Sequence, residues 1–178
     1  MESMIIYGSQ YGTTEHYAKT LSQKTGIPVY SYQDIDDLSC YQTVIHIGGL
    51  YAGGVKGLKK TMKLINDATH LIIVTVGLAD VKDQTNIDHI RQSLHQYMSK
   101  EMFDKTAIYH LRGGIDYQKL GFAHKTMMKL LYNKVKNIPD EKKTAEQRAM
   151  INTYNKKVSF IDDNALEPII QYLKNNDH

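Results

Sequence analysis

The sequence predicts an α/β fold in which five parallel strands and their crossover helices form one doubly wound sheet. Short apolar runs alternate with stretches whose apolar residues recur at helical spacing, which is typical of parallel α/β units. The right-handed rule for crossover connections then favours the strand order 2-1-3-4-5. A chain of 178 residues is long enough for one such domain, so we expect a single domain over residues 1–178.

The five strands are predicted from apolar runs, several of them rich in β-branched residues. They cover residues 4–7, 27–30, 43–47, 71–76 and 106–111. Helical spacing predicts a first helix over residues 13–25, which ends at Gly26 and Pro28. The same spacing predicts two more helices, one carrying Val55, Leu58, Met62 and Ile65 and the other Ile87, Ile90, Leu94 and Tyr97.

Beyond residue 111 the chain predicts an extra C-terminal segment. Residues 120–135 have a helical pattern, and a polar stretch over residues 139–157 separates them from a last helix. The last helix has Pro168 in its first turn, and its core face carries Leu166, Ile169, Ile170 and Leu173. We expect the helix over 120–135 to cover the fifth strand, with its lysines facing water. Because that helix is basic and amphipathic, contact with an anionic membrane surface or a quinone-bearing partner is the alternative.

The most informative motif is Ser9-Gln10-Tyr11-Gly12-Thr13-Thr14, which follows the first strand and opens a helix. Such a turn directs backbone N–H groups and hydroxyls at one point, and the helix N-terminus adds about half a positive charge. A phosphate monoester fits there, with an ordinary Ser/Thr helix cap as the alternative. The motif lacks the Gly-Lys-Ser/Thr ending of the Walker sequence, which favours a mononucleotide such as FMN over ATP.

Three predicted loops follow strands that lie side by side in the expected sheet. They cover residues 9–14, 48–54 and 76–80. Ligands of doubly wound sheets bind beyond the carboxyl ends of the strands, at the point where the strand order reverses. The three loops are therefore expected to converge on one ligand site.

Composition and missing motifs exclude other classes of protein. Cys40 is the only cysteine, so no intrachain disulfide forms, and no histidine spacing typical of a metal site is present. A net charge of +3 is too small to indicate nucleic-acid binding. No Gly-x-Ser-x-Gly elbow and no acidic cluster after the first strand are present, which argues against a serine hydrolase and a receiver domain. The chain enters a strand without a signal segment, so we expect a cytoplasmic location.

The motif at residues 9–14 resembles the phosphate loop of flavodoxin-like FMN proteins, Ser/Thr-x-x-Gly-x-Thr. The resemblance implies that hydroxyls of Ser9, Thr13 and Thr14 bind the FMN phosphate, together with main-chain N–H groups of Gln10, Tyr11 and Gly12. It also implies that the other two loops hold the flavin ring, through Gly49, Leu50, Tyr51, Ala52, Gly53, Gly54, Val76, Gly77, Leu78, Ala79 and Asp80. Tyr51 is the candidate for stacking on the ring, and a surface tyrosine is the alternative.

Within that family, the segments 112–117 and 121–131 resemble the corresponding part of menaquinone-dependent protoporphyrinogen dehydrogenases. This implies an FMN-dependent oxidoreductase with a quinone or redox partner, in which Arg112 and Tyr117 contact an anionic substrate or quinone. No side chain is nominated as catalytic acid or base. A one-electron flavodoxin carrier is the alternative function, and a domain that has lost its flavin is the third.

Overall fold

The computed structural model describes residues 2–51 and 53–176. Its strands are β1 (Ser3–Gly8), β2 (Val29–Ser31), β3 (Thr43–Tyr51), β4 (Gly54–Val55), β5 (His70–Gly77), β6 (Ala107–Arg112), β7 (Gly114–Asp116) and β8 (Lys157–Ser159). Its helices are α1 (Thr13–Thr25), α2 (Leu58–Leu64), α3 (Gln84–Leu94), α4 (Lys100–Lys105), α5 (Phe122–Lys136), α6 (Ala145–Thr153) and α7 (Glu167–Asn176). No described helix has the length and apolar character needed to cross a bilayer.

The main sheet has the order β2-β1-β3-β5-β6, with every neighbouring pair parallel. In terms of the five predicted strands this is 2-1-3-4-5, so the predicted fold class and strand order are confirmed. β3 is longer than expected, because it continues to Tyr51 and pairs antiparallel with β4. Val55 therefore lies in β4 rather than in the predicted helix, and Tyr97 lies beyond the end of α3.

Alternation along the strands divides the core between the two faces of the sheet. In β1, Ile5 packs in the cluster that contains residues of α1 and α7, whereas Met4 and Ile6 pack in the cluster that contains residues of α2 and α3. Both clusters are built largely of residues that are almost fully buried. The sheet is thus covered on both faces, as a parallel sheet requires.

The helix that covers the sheet beside β6 is α7, so the expectation that residues 120–135 do so was wrong. Four core-facing aliphatic residues of the last helical stretch pack in the same cluster as Leu111, namely Leu166, Ile169, Ile170 and Leu173. α5 buries only Met128 and Val135, and it packs in a separate C-terminal cluster. The physical reason is the apolar stripe: α7 and the turn before it present one at i, i+3, i+4 and i+7, from Leu166 to Leu173, whereas lysines interrupt that of α5.

The polar stretch over residues 139–157 also contains regular secondary structure. It contains α6, whose N-terminus has a reciprocal cap: Thr144 Oγ1 accepts from Gln147 N at 3.2 Å, and Gln147 Oε1 accepts from Thr144 N at 2.9 Å. β8 follows and pairs antiparallel with β7. Together with α5, these elements form a C-terminal subassembly around Ile115, Tyr117 and Met150.

Candidate functional site

The first loop joins β1 to α1 and does not use a side chain to cap the helix. Gly12 is the residue before α1, with a φ of 87°, and its N–H donates to Ser9 Oγ at 3.0 Å. A positive φ of this size favours glycine. Thr13 and Thr14 begin the helix, and among the described residues neither hydroxyl serves as its cap. The ordinary Ser/Thr cap offered as the alternative is therefore absent from this helix end.

The hydroxyls of Thr13 and Thr14 lie against glycines at the carboxyl ends of other strands. A methyl group added at Gly49 would lie 3.1 Å from Thr14 Oγ1, and one added at Gly113 would lie 2.8 Å from Thr13 Oγ1. A methyl group at Gly77 would meet the Leu50 side chain at 2.8 Å. The first, second and third loops thus pack closely together, and the glycines at these positions allow the close approach.

The second loop is the tip of the β3–β4 hairpin, and buried or partly buried hydrogen bonds hold its base. His46 is fully buried, with Nδ1 2.8 Å from Thr61 Oγ1 and Nε2 3.0 Å from the Lys56 carbonyl oxygen. The N–H of Val55 donates to the Tyr97 hydroxyl at 3.2 Å. Gly49, Leu50, Tyr51, Gly53 and Gly54 lie along this hairpin, whereas Ala52 lies outside the described residues.

The neutral state of His46 predicts a loss of stability in acid. Burial lowers the pKa of His46 from 6.5 to about 4. Between these values the unfolded chain binds a proton that the folded chain does not, so the free energy of unfolding falls as the pH falls through this window. Over the whole window the loss is about 3 kcal/mol. Urea denaturation at several pH values measures this loss. The free energy of unfolding of a His46→Gln variant should depend less on pH than that of the wild type. His89 is exposed, so a His89→Gln variant should show the same dependence on pH as the wild type.

The third loop binds the side-chain carboxylate of Glu146, a residue of the C-terminal subassembly. The N–H groups of Leu78 and Ala79 donate to the two oxygens of Glu146, at 3.3 and 3.0 Å. Burial raises the pKa of Glu146, while these N–H bonds and Arg112 act in the opposite direction. Arg112 Nε donates to the Leu78 carbonyl oxygen at 3.1 Å, and its guanidinium lies 3.8 Å from the centre of the Phe160 ring. Glu146 is a residue of this site that was not predicted.

α5 lies across the first and second loops. The Tyr11 hydroxyl donates to Met128 Sδ at 3.6 Å, and the Tyr51 hydroxyl donates to Met127 Sδ at 2.7 Å. Gln10 contacts both His124 of α5 and Lys56 beyond β4. Burial raises the pKa of Tyr11 to about 12, so its hydroxyl stays protonated and able to donate. Tyr51 therefore contacts α5 here, and its stacking on a flavin stays a prediction.

A cavity of about 490 Å³ opens beside the third loop. Leu78, Ala79, Asp80 and Arg112 line one side, and residues of α6 and β8 line the other. Among the described residues, its three cationic side chains form no ion pair within 4.0 Å; they are Arg112, Arg148 and Lys156. Tyr117, which was predicted to act with Arg112, is instead 5% exposed within the C-terminal cluster.

Comparisons with known proteins identify a family relationship. The family model described as a flavodoxin domain matches residues 4–142. A flavoprotein from Lactobacillus acidophilus NCFM, solved in complex with FMN, is 10% identical, with 62% of this chain and 91% of the other covered and a TM-score of 0.42. A mutant flavodoxin from Pseudomonas aeruginosa is 15% identical, with 75% and 96% covered and a TM-score of 0.38. No curated protein sequence matches the chain significantly.

Proposed function

Since this chain belongs to the flavodoxin domain family, we propose that it is an FMN-binding flavoprotein that grips the cofactor phosphate with the loop of residues 9–14. One observation carries the proposal: the hydroxyls of Thr13 and Thr14 lie at the convergence of the strand ends and do not cap α1. A phosphate dianion that leaves water needs several charge-assisted donors. This loop supplies three hydroxyls, main-chain N–H groups and the positive end of a 13-residue helix.

The flavin ring is proposed to lie between the β3–β4 hairpin and the third loop. When bound, FMN supplies the redox chemistry, and the protein orients the ring and controls its surroundings. The N–H groups of Leu78 and Ala79 are oriented donors at the end of β5, and in their present state they bind Glu146. Donors of this kind suit the carbonyl oxygens of a flavin. On FMN binding, the N–H groups of Leu78 and Ala79 would then donate to the flavin in place of Glu146, or to both.

We further propose an oxidoreductase rather than a simple shuttle. The cavity beside the third loop supports this, because it adjoins the proposed ring site and is large enough for a small molecule. Arg112 is held in it by the Leu78 carbonyl and the Phe160 ring, so its charge is fixed in position for an anionic substrate or a quinone. A quinone-linked, protoporphyrinogen dehydrogenase-like reaction is the specific form of the proposal.

A one-electron carrier is the second candidate, favoured by the family itself. A redox titration of the purified flavoprotein separates the two functions, since a carrier accumulates the one-electron-reduced flavin and the enzyme is reduced by two electrons directly. Turnover of protoporphyrinogen with a quinone acceptor would establish the specific reaction. A colourless protein that does not bind added FMN would contradict both candidates and leave an interaction domain.

A further inference from the structure

We propose that the outward face of α5 docks on an anionic phospholipid surface. Of the four large hydrophobic side chains that are exposed among the described residues, three lie on this helix: Phe122 is 87% exposed, Leu130 67% and Leu131 40%. The opposite side of α5 is in use, because Met127 and Met128 contact the first two loops and Val135 lies in the C-terminal cluster. Phe122 and Leu130 are therefore not needed to hold the helix in place, whereas Leu131 lies about 180° from Phe122, on the same side of the helix as Met127 and Met128.

The charges around this face identify its partner. Residues 117–139 contain five lysines and no acidic residue; the lysines are Lys119, Lys125, Lys129, Lys134 and Lys136. Among the described residues none of the five forms an ion pair within 4.0 Å, whereas lysines on α1 and α4 pair with carboxylates one turn away. A stretch of chain with unpaired positive charge complements a negatively charged surface, and each lysine near such a surface strengthens binding about fivefold.

The spacing of the residues suits a bilayer interface better than a protein interface. At about 100° per residue, Phe122 and Leu130 point in directions about 80° apart, and Lys125 and Lys129 flank them on one side. Such an arrangement allows the apolar side chains to enter the acyl boundary while the lysine stems extend to the headgroups. Protein interfaces, in contrast, are depleted in lysine at their centre.

The inference does not depend on the proposed function, because the outward face of α5 contributes no residue to the proposed FMN site. The two are nevertheless linked in space. Tyr11, Tyr51 and Gln10 contact the inner side of the same helix. Docking of α5 would therefore bring the first and second loops close to the membrane surface.

Sedimentation of the full chain with lipid vesicles tests the proposal. The protein should bind vesicles that contain phosphatidylglycerol and should bind much less to vesicles of phosphatidylcholine alone, with binding lost at high salt. A double variant, Phe122→Ser with Leu130→Ser, should weaken binding at least about tenfold. A second variant, Lys125→Glu with Lys129→Glu, should weaken vesicle binding at least about as much.

The four substituted side chains are exposed, so both variants should unfold at the same temperature as the wild type. An unchanged unfolding temperature shows that the variants fold.

Matched controls come from other parts of the surface. Tyr30 is 47% exposed on β2, so Tyr30→Ser removes an exposed apolar side chain away from α5. Lys59 and Lys63 are exposed on α2, so Lys59→Glu with Lys63→Glu makes the same change of charge elsewhere. The controls should bind vesicles like the wild type. Equal loss in controls and α5 variants, or no binding to anionic vesicles, overturns the proposal. A dimer in ultracentrifugation that the Phe122 and Leu130 variant abolishes would assign the face to a second copy and also overturn it.

Discussion

A variant that combines Ser9→Ala, Thr13→Val and Thr14→Val is expected to lose nearly all affinity for FMN. The three hydroxyls are proposed to donate to the cofactor phosphate, and a hydrogen bond to a charged group contributes about 1.5–3 kcal/mol. Loss of all three therefore weakens binding by about a thousandfold or more. Thr14→Val alone should weaken it by about tenfold to a hundredfold. Quenching of flavin fluorescence in a titration measures both effects.

Riboflavin, which has no phosphate, separates a lost phosphate grip from a damaged fold. The triple variant should bind riboflavin as the wild type does, because the residues proposed to hold the ring are unchanged. Thr20→Val, further along α1, is the matched control and should leave FMN affinity unchanged. An unchanged affinity of the triple variant for FMN would show that the phosphate lies elsewhere. Equal losses for FMN and riboflavin would indicate disruption of the site as a whole.

Truncation of Leu166 is expected to produce the largest loss of stability among simple substitutions in the C-terminal region. Leu166 is fully buried where α7 covers the sheet, in the same cluster as Ile5 and Tyr17. Leu166→Ala leaves a cavity there and should lower the free energy of unfolding by about 2–5 kcal/mol. Urea denaturation followed by circular dichroism measures the change.

The matched control for Leu166 lies on α5. Leu130 is mostly exposed, so Leu130→Ala should change stability by less than about 0.5 kcal/mol. The reverse result, a large loss at Leu130 and a small one at Leu166, would mean that α5 covers the sheet as the sequence pattern first indicated. The pair of variants therefore tests the main correction to the predicted fold.

The sheet could be predicted because its signals are local and periodic. The runs at residues 4–7 and 71–76 are apolar on both faces of the strand, which is typical of buried parallel strands. The crossover rule then restricts their order. Pro168 in the first turn of α7 was likewise predictable, since a proline fits only there. The start of α6 was not predicted, although Thr144 and Gln147 have the spacing of a capping box.

The remaining parts of the site depend on contacts between distant segments, which no local pattern encodes. Glu146 reaches the third loop from 67 residues further along the chain. The contacts of α5 with Tyr11 and Tyr51 depend on how the C-terminal subassembly sits against the sheet. The choice between α5 and α7 as the cover of β6 was a competition between two amphipathic helices. The uninterrupted apolar stripe from Leu166 to Leu173 favours the last helix, because lysines interrupt the stripe of α5.

A crystal structure of the protein with FMN would show where the cofactor phosphate binds. The phosphorus atom is expected at the N-terminus of α1, with the hydroxyls of Thr13 and Thr14 and the N–H groups of residues 10–14 within hydrogen-bond distance. The flavin ring is expected between the β3–β4 hairpin and the third loop. A phosphate bound at another place, or crystals in which Gln10, Lys56 and α5 keep the loop closed and exclude saturating FMN, would contradict the proposed FMN site.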